Sequence, residues 1–370
     1  MIRIVDTTLR DGEQTPGVAF SVEEKMAIAA MLDEAGVHYI EAGSPAMGHG
    51  ELEAIREING MGLRASVIMW NRATREDIEK SLSIGARNVH ISLPVSDFMI
   101  RRKMGYDRNK IIETMASMVA LAKSENVEVS VGAEDATRAD QSFLKEYIAA
   151  AESCGAVRLR YCDTVGVSEP FSLRDNVERL LIGARIPLEI HTHNDFGMAT
   201  ANALAGVKAG ATLIDTTITG LGERAGNAPL EEVVMALEVV MEIKTGVNPL
   251  MLKKLAEFVA RAAGRTLPRS KSIVGTDVFT HESGIHVDGV MKDPRLYEPF
   301  DPSLVGACRR IVIGKHSGPK AVKRRLRELG FDLNGFSESC AVEMIRKAAG
   351  NRKGGLTDSD ILSIASRMFN

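Results

Sequence analysis

Eight times between residues 2 and 242, a short β-rich run gives way to an amphipathic helical stretch. The runs are "IRIV" (2–5), "YIEAG" (39–43), "ASVIMW" (65–70), "NVHISL" (88–93), "VEVSVGAE" (127–134), "VRLRYCD" (157–163), "LEIHTH" (188–193) and "TLIDTT" (212–217). The helical stretch 21–36 opens on Ser21 with Glu24 three residues later, a capping-box pattern, and Gly36 supplies its stop. "AGV", "IGAR", "CGAV" and "AGAT" recur just ahead of strands, where a glycine can end each helix. Eight strands alternating with eight helices is the count of a (β/α)8, or TIM, barrel, so the expected fold class is α/β. An open doubly wound sheet is the main alternative. It usually has fewer strands, and no GxGxxG opens a helix after the first run here.

A barrel gathers its reactive groups at the C-terminal ends of the strands. Asp6, Arg10 and Asp11 follow the first run, Glu41 the second and Ser92 the fourth. Glu134 and Asp135 end the fifth, Asp163 and Thr164 the sixth, His191 and His193 the seventh, and Thr216 and Thr217 the eighth. Loop polarity accounts for part of this set, but not for two histidines inside a strand. Side chains at i and i+2 share a face, so His191 and His193 converge as two ligands of one metal ion would. Core histidines satisfied by backbone are the competing reading, which suits a lone histidine better than a pair.

The totals exclude several classes. With 370 residues and a net charge of −3, the chain has no electrostatic case for nucleic acid or an anionic membrane surface. No apolar run is long enough to span a bilayer. The N-terminus turns charged and polar by residue 6, unlike a signal peptide. Four scattered cysteines without a CxxC pair argue against a disulfide framework, and a reducing cytoplasm is the expected compartment. Beyond 245 the pattern changes to an amphipathic helix, a loop-rich stretch and three short helices over 319–370. The expected division is a barrel over 1–245 and a linker with a small helical appendage over 246–370.

Two imidazoles suit several metals, and a carboxylate would complete a three-ligand face with positions open for substrate. Asp11 is the candidate, because the first strand lies near the last two in a closed barrel. Mg, Mn, Zn and Fe(II) all fit such a donor set. Arg10 puts a permanent cation beside it, able to stabilise a developing oxyanion. "GLGERAGNAPLEE" (220–232) follows the eighth run, and Asn227 there is a further oxygen ligand candidate.

"DTTLRDGEQTPG", "EDATRAD", "DTVG", "HTHNDFGMATANAL" and "GLGERAGNAPLEE" together resemble the metal-dependent Claisen-condensing barrels, the 2-isopropylmalate, citramalate and homocitrate synthases. "FTHESGIHVDG" and "IGKHSG" are most similar to homocitrate synthases of the nitrogen-fixation type. The resemblance implies condensation of acetyl-CoA with 2-oxoglutarate, or with 2-oxoisovalerate or pyruvate in the sister enzymes. It implies Asp11, His191, His193 and Asn227 as metal ligands and Arg10 and Glu134 as catalytic groups. Gln14 and Thr164 would bind the 2-oxo acid. His281 and Tyr297 would be brought by the appendage of a partner subunit in a domain-swapped homodimer. The related acyl-CoA lyases carry a reactive cysteine in the loop after the eighth strand, and this chain has none there. A non-catalytic binding module on a degenerate barrel would be expected to have lost a ligand or the arginine.

The resemblance also raises a question about substrate. Lysine-pathway homocitrate synthases place an arginine four residues before the catalytic glutamate, where this chain has Ser130. Strand period two puts Arg160 on the same side as Cys162 and Thr164. Arg160 is therefore the expected reader of the distal carboxylate, with Arg72, Arg101 and Arg102 as loop-borne rivals. A permanent pairing with a buried acid such as Glu41 is the alternative.

Overall fold

The computed structural model describes residues 1–331, 337–350 and 352–369. The eight β-rich runs form eight parallel strands: β1 (Arg3–Asp6), β2 (Tyr39–Gly43), β3 (Ser66–Arg72), β4 (Asn88–Pro94), β5 (Glu128–Glu134), β6 (Arg158–Asp163), β7 (Leu188–Thr192) and β8 (Leu213–Thr216). They pair in sequence order and close into a barrel. The seam is made by β1 and β8, with Arg3 opposite Leu213 and Asp6 opposite Thr216. The fold is the expected TIM barrel.

Strand alternation separates two sets of side chains. On β5, Val129, Val131 and Ala133 are buried on one face, while Ser130, Gly132 and Glu134 share the other. The polar set meets inside the barrel and carries the chemistry. The helix Val22–Ala35 begins as its sequence implies: Ser21 Oγ accepts from the Glu24 amide at 3.1 Å, and Glu24 Oε2 accepts from the Ser21 amide at 2.8 Å. Such a cap is worth about 1 kcal/mol.

The chain divides into two units, Met1–Leu267 and Pro268–Asn370. That boundary lies downstream of the expected one at 245. The helix Leu252–Ala262 packs against the helix Val22–Ala35 and buries Leu252, Leu255, Ala256 and Val259, so it belongs to the barrel. In the second unit, β9 (Thr280–His281) and β10 (Arg310–Ile311) pair in parallel. The expected terminal helices are Pro319–Glu328, Glu338–Ala349 and Asp358–Phe369, joined by a further helix, Gly284–Lys292. Residues 332–336, 351 and 370 of that stretch lie outside the described residues. Val287, Ile313, Val322, Leu326, Ile345 and Ile361 form a separate small core. The four cysteines are free, and among the described residues no helix is long and apolar enough to cross a membrane.

Candidate active site

The closing seam brings Asp11, in the loop after β1, against the end of β7. His191 and His193 face the same way, with ring centroids 4.9 Å apart and Nε2 atoms 3.1 Å apart. Asp11 Oδ2 lies 3.4 Å from His191 Nε2 and 3.9 Å from His193 Nε2, and one donor atom from each residue falls within 4.8 Å of the others. Burial, helped by His193, pushes the His191 imidazole down to about 3, and burial lowers His193 too. Burial alone would raise Asp11, but Arg10 and the two histidines outweigh it and hold the carboxyl at about 2. Two neutral imidazoles and one carboxylate are the protonation states that ligate a divalent ion.

Orphaned atoms agree with that fit. Buried Asp11 Oδ2 and Asn227 Oδ1 hold no hydrogen bond among the described residues. Asn227 is brought in by an isolated β-bridge to His193 and anchored through Nδ2 on Leu221 O at 3.0 Å. His191 Nδ1 lies 3.0 Å from Asp215 Oδ2, a carboxylate that fixes the ring so that Nε2 faces the other donors.

Asp11, His191 and His193 share a cavity of about 230 Å³ with Arg10, Gln14, Glu134 and Thr164. Arg10 is held by an ion pair to Glu41 and by the Trp70 ring, 5.3 Å from its guanidinium carbon. Gln14 ends the short turn Gly12–Gln14 that follows Asp11. Thr164 Oγ1 accepts the Asp135 amide at 2.8 Å, tying the ends of β5 and β6 together. Asp135 itself sits in the left-handed region (φ 62°), fastened by Arg138 at 2.8 Å, and this aims the preceding Glu134 inward. Glu134 accepts from Lys103 Nζ at 2.6 and 2.8 Å.

Arg160 lines the same cavity, but its guanidinium is already committed. Nη2 donates to Glu41 Oε2 at 2.6 Å, and Nε pairs with Glu189 and lies 2.9 Å from Asp215 Oδ2. All four side chains are buried. The expectation that Arg160 reads a substrate carboxylate gives way to the alternative, a fixed pairing with buried acids, because Glu41, Glu189 and Asp215 already take up its guanidinium. The loop-borne rivals do not replace it. Arg72 is fastened to Asp77 at 2.8 Å, and Arg101 and Arg102 are exposed, whereas the adjacent Lys103 faces the cavity.

In the second unit, His281 and Tyr297 are not a pair. His281 is buried with Nε2 3.0 Å from Glu298 Oε1, and Glu298 is also held by Arg309. The imidazole that meets Tyr297 is His286, exposed and stacked on it with centroids 4.3 Å apart at an interplanar angle of 25°. His286 and Gly289 are three apart on the helix Gly284–Lys292, and a Cβ at Gly289 would overlap the Tyr297 ring. A fixed, buried imidazole is poorly placed to take a proton from a substrate, while an exposed one beside a phenol is well placed. Sequence reasoning named His281 and did not single out His286; its helical offset from Gly289 was the available signal. It also passed over His90, although strand period two from Ser92 puts that ring inside the barrel.

Residues 1–259 match the HMGL-like family model, and residues 273–353 match the homocitrate synthase post-HMGL domain-like model. The chain is 50% identical to 2-isopropylmalate synthase 2 of Caldanaerobacter subterraneus over 98% of its own length and 94% of that protein's. It is 46% identical to homocitrate synthase 1 of a Nostoc species, covering 98% of this chain and 96% of that one. A solved HMG-CoA lyase from Bacillus subtilis shares the fold, with a TM-score of 0.65 at 22% identity over 72% of this chain and 95% of that chain. The barrel, the Asp–His–His cluster at its mouth and these matches together place the chain in the HMGL-like family, among the isopropylmalate and homocitrate synthases.

Proposed function

We propose that the protein is a homocitrate synthase, condensing acetyl-CoA with 2-oxoglutarate at a divalent metal to give (R)-homocitrate and CoA. The observation that carries this reading is a single cavity lined by Asp11, His191 and His193 together with Arg10, Glu134 and Thr164. The match of the second unit to a homocitrate synthase domain supports the choice within the family. Asp11, His191, His193 and Asn227 are the residues that would hold Mg, Mn, Zn or Fe(II), and the bound ion supplies Lewis-acid polarisation of the keto group.

The chain's own groups do the rest. Thr164 and Gln14 orient the 2-oxo acid. The exposed His286, with Tyr297 stacked on it, takes a proton from the acetyl-CoA methyl group. This pair replaces His281 with Tyr297, and it acts from the partner's chain in a domain-swapped homodimer. The enolate carbon bonds to the keto carbon, whose oxygen becomes an oxyanion beside Arg10. Glu134 belongs to the acid/base apparatus and moves the proton to that oxygen. Water then cleaves the thioester C–S bond, leaving a carboxylic acid and the CoA thiol.

The 2-isopropylmalate synthase relative favours a second reading, in which 2-oxoisovalerate replaces 2-oxoglutarate. The lyase reaction is disfavoured by the absence of cysteine from residues 220–232. The test is free-thiol release by metal-loaded protein with acetyl-CoA and 2-oxoglutarate, 2-oxoisovalerate or pyruvate, with product masses measured. Release with 2-oxoglutarate and a homocitrate mass is expected. Turnover of 2-oxoisovalerate alone would install the second reading, and no release with any acid would sink both.

A further inference from the structure

A buried arginine among acids is a poor stability device, because desolvating the charges offsets most of their attraction and an apolar filling would serve as well. The contacts of Arg160 have a further property: they close a loop around the candidate metal site. Arg160 Nη2 donates to Glu41 Oε2 at 2.6 Å, and Glu41 Oε1 accepts from Arg10 Nε. Arg10 Nη1 lies 3.6 Å from Asp11 Oδ1, and Asp11 Oδ2 lies 3.4 Å from His191 Nε2. On the other side, Arg160 Nε lies 2.9 Å from Asp215 Oδ2, the oxygen that stands 3.0 Å from His191 Nδ1.

The loop is assembled from distant parts of the chain. Arg10 and Asp11 follow β1, Glu41 lies on β2, Arg160 on β6, His191 on β7 and Asp215 on β8. Arg10 is partly buried and the other five are buried. Glu41 gives one oxygen to each arginine. Arg160 Nε–H is shared between Asp215 Oδ2 and Glu189 Oε1, but Glu189 has Arg158 as a second cation at 2.6 Å. Asp215 has no second one: among the described residues, Arg160 is the one arginine or lysine in an ion pair with it. The oxygen that faces the Arg160 Nε–H accepts, so His191 donates to it through Nδ1 and turns a bare Nε2 towards Asp11 and His193.

Resting on the condensation reading above, we propose that Arg160 is a positioning residue for the reaction: through Glu41 it sets the guanidinium of Arg10, and through Asp215 it sets the imidazole of His191. The group that meets the developing oxyanion and a group that holds the metal ion are thereby fixed to one cation. The side chain suits that task. A guanidinium offers N–H groups on three nitrogens in a rigid plane, so it faces acids from β2 and β8 at once, whereas an ammonium offers its three from one atom.

Glu41→Gln, Asp215→Asn and Arg160→Lys are compared with the wild type as full chains, with folding checked by thermal melting. Mn(II) affinity is measured by calorimetry on protein dialysed free of divalent ions, and kcat at saturating Mn(II) with acetyl-CoA and the 2-oxo acid that the wild type turns over. Glu41→Gln loosens Arg10, so kcat should fall about tenfold or more while Mn(II) affinity stays near that of the wild type. Asp215→Asn should weaken Mn(II) binding about tenfold or more, the scale of a lost partner behind a ligating histidine, and saturating Mn(II) should restore most of its kcat. Arg160→Lys should show both defects, and its loss of kcat should not add to that of Glu41→Gln in the double variant. An Arg160→Lys protein that melts lower but keeps wild-type Mn(II) affinity and kcat is merely structural at that position, which overturns the proposal. If Arg160→Lys does not fold, wild-type kcat in Glu41→Gln or wild-type Mn(II) affinity in Asp215→Asn overturns it instead. A wild type that releases no CoA with any 2-oxo acid removes the condensation reading, and the Mn(II) titrations still decide whether Arg160 and Asp215 set His191.

Discussion

Arg160 donates across the barrel to Glu41, Nη2 to Oε2 at 2.6 Å, with both side chains shut off from solvent. Removing the cation would leave the buried acids Glu41, Glu189 and Asp215 crowded inside the barrel. Arg160→Met should therefore cost about 3–5 kcal/mol of folding stability. Its activity should fall alike on every 2-oxo acid. Adding Glu41→Gln should restore part of the loss, because the two residues form one network. Urea titrations of the single and double variants measure this. A stably folded Arg160→Met that loses only 2-oxoglutarate turnover would return the arginine to substrate recognition.

The three ligands at the seam should hold metal without holding the fold. His191→Ala or His193→Ala should lose most bound divalent ion after dialysis, measured by elemental analysis, while far-UV circular dichroism stays unchanged. Asp11→Asn keeps the shape and removes the charge, so it should weaken affinity more than it lowers the melting temperature. Full metal content in either histidine variant would end the assignment.

Asp6 carries a pH signature. Burial, reinforced by Glu231 and Glu41, raises its carboxyl from 3.8 to about 7 despite the hydrogen bonds from Thr8. The folded state then binds a proton that the unfolded chain releases, so this group's contribution is fullest below pH 4 and is lost as pH climbs towards 7. Asp6→Asn cannot ionise. Its melting temperature relative to wild type should be more favourable at pH 8 than at pH 5. A difference that does not change between the two would refute the shift.

The stacked pair in the second unit makes two further claims. Gly289→Ala pushes a methyl into the Tyr297 ring, so it should lower kcat in the same direction as Tyr297→Phe, with metal content untouched. If His286 acts across a dimer, chains bearing His286→Ala and chains bearing His191→Ala are each inactive alone. Mixed under conditions that exchange subunits, they should regain activity from one intact site per heterodimer. No recovery despite proven exchange would assign both groups to one chain.

Much of this was written locally in the sequence. The capping box at Ser21, the strand runs and the paired histidines are short-range patterns; the first two appear as expected, and the imidazoles converge although His193 lies one residue past β7. What escaped depends on which surfaces meet. The helix Leu252–Ala262 shows an apolar stripe, but a stripe does not name the surface that covers it, so the boundary was set too early. Arg160 shares its guanidinium with acids from β2, β7 and β8, strands that are neighbours only once the sheet has closed. That His286 and not His281 meets Tyr297 follows from where one short helix begins, at Gly284, which the sequence pattern does not reveal.

The seam between β1 and β8 draws the three groups that could hold a metal ion from opposite ends of the barrel sequence, Asp11 near the start and His191 and His193 towards the end. A chain emerging from synthesis holds only Asp11 of these three until about half of it has been made, and gains the other two as the seventh strand is completed. Collapse of the early strands cannot assemble the site, since the last strands must first zip onto the first. Metal uptake during refolding is therefore a clock for closure, and its lag behind the appearance of helix times the final docking of the barrel.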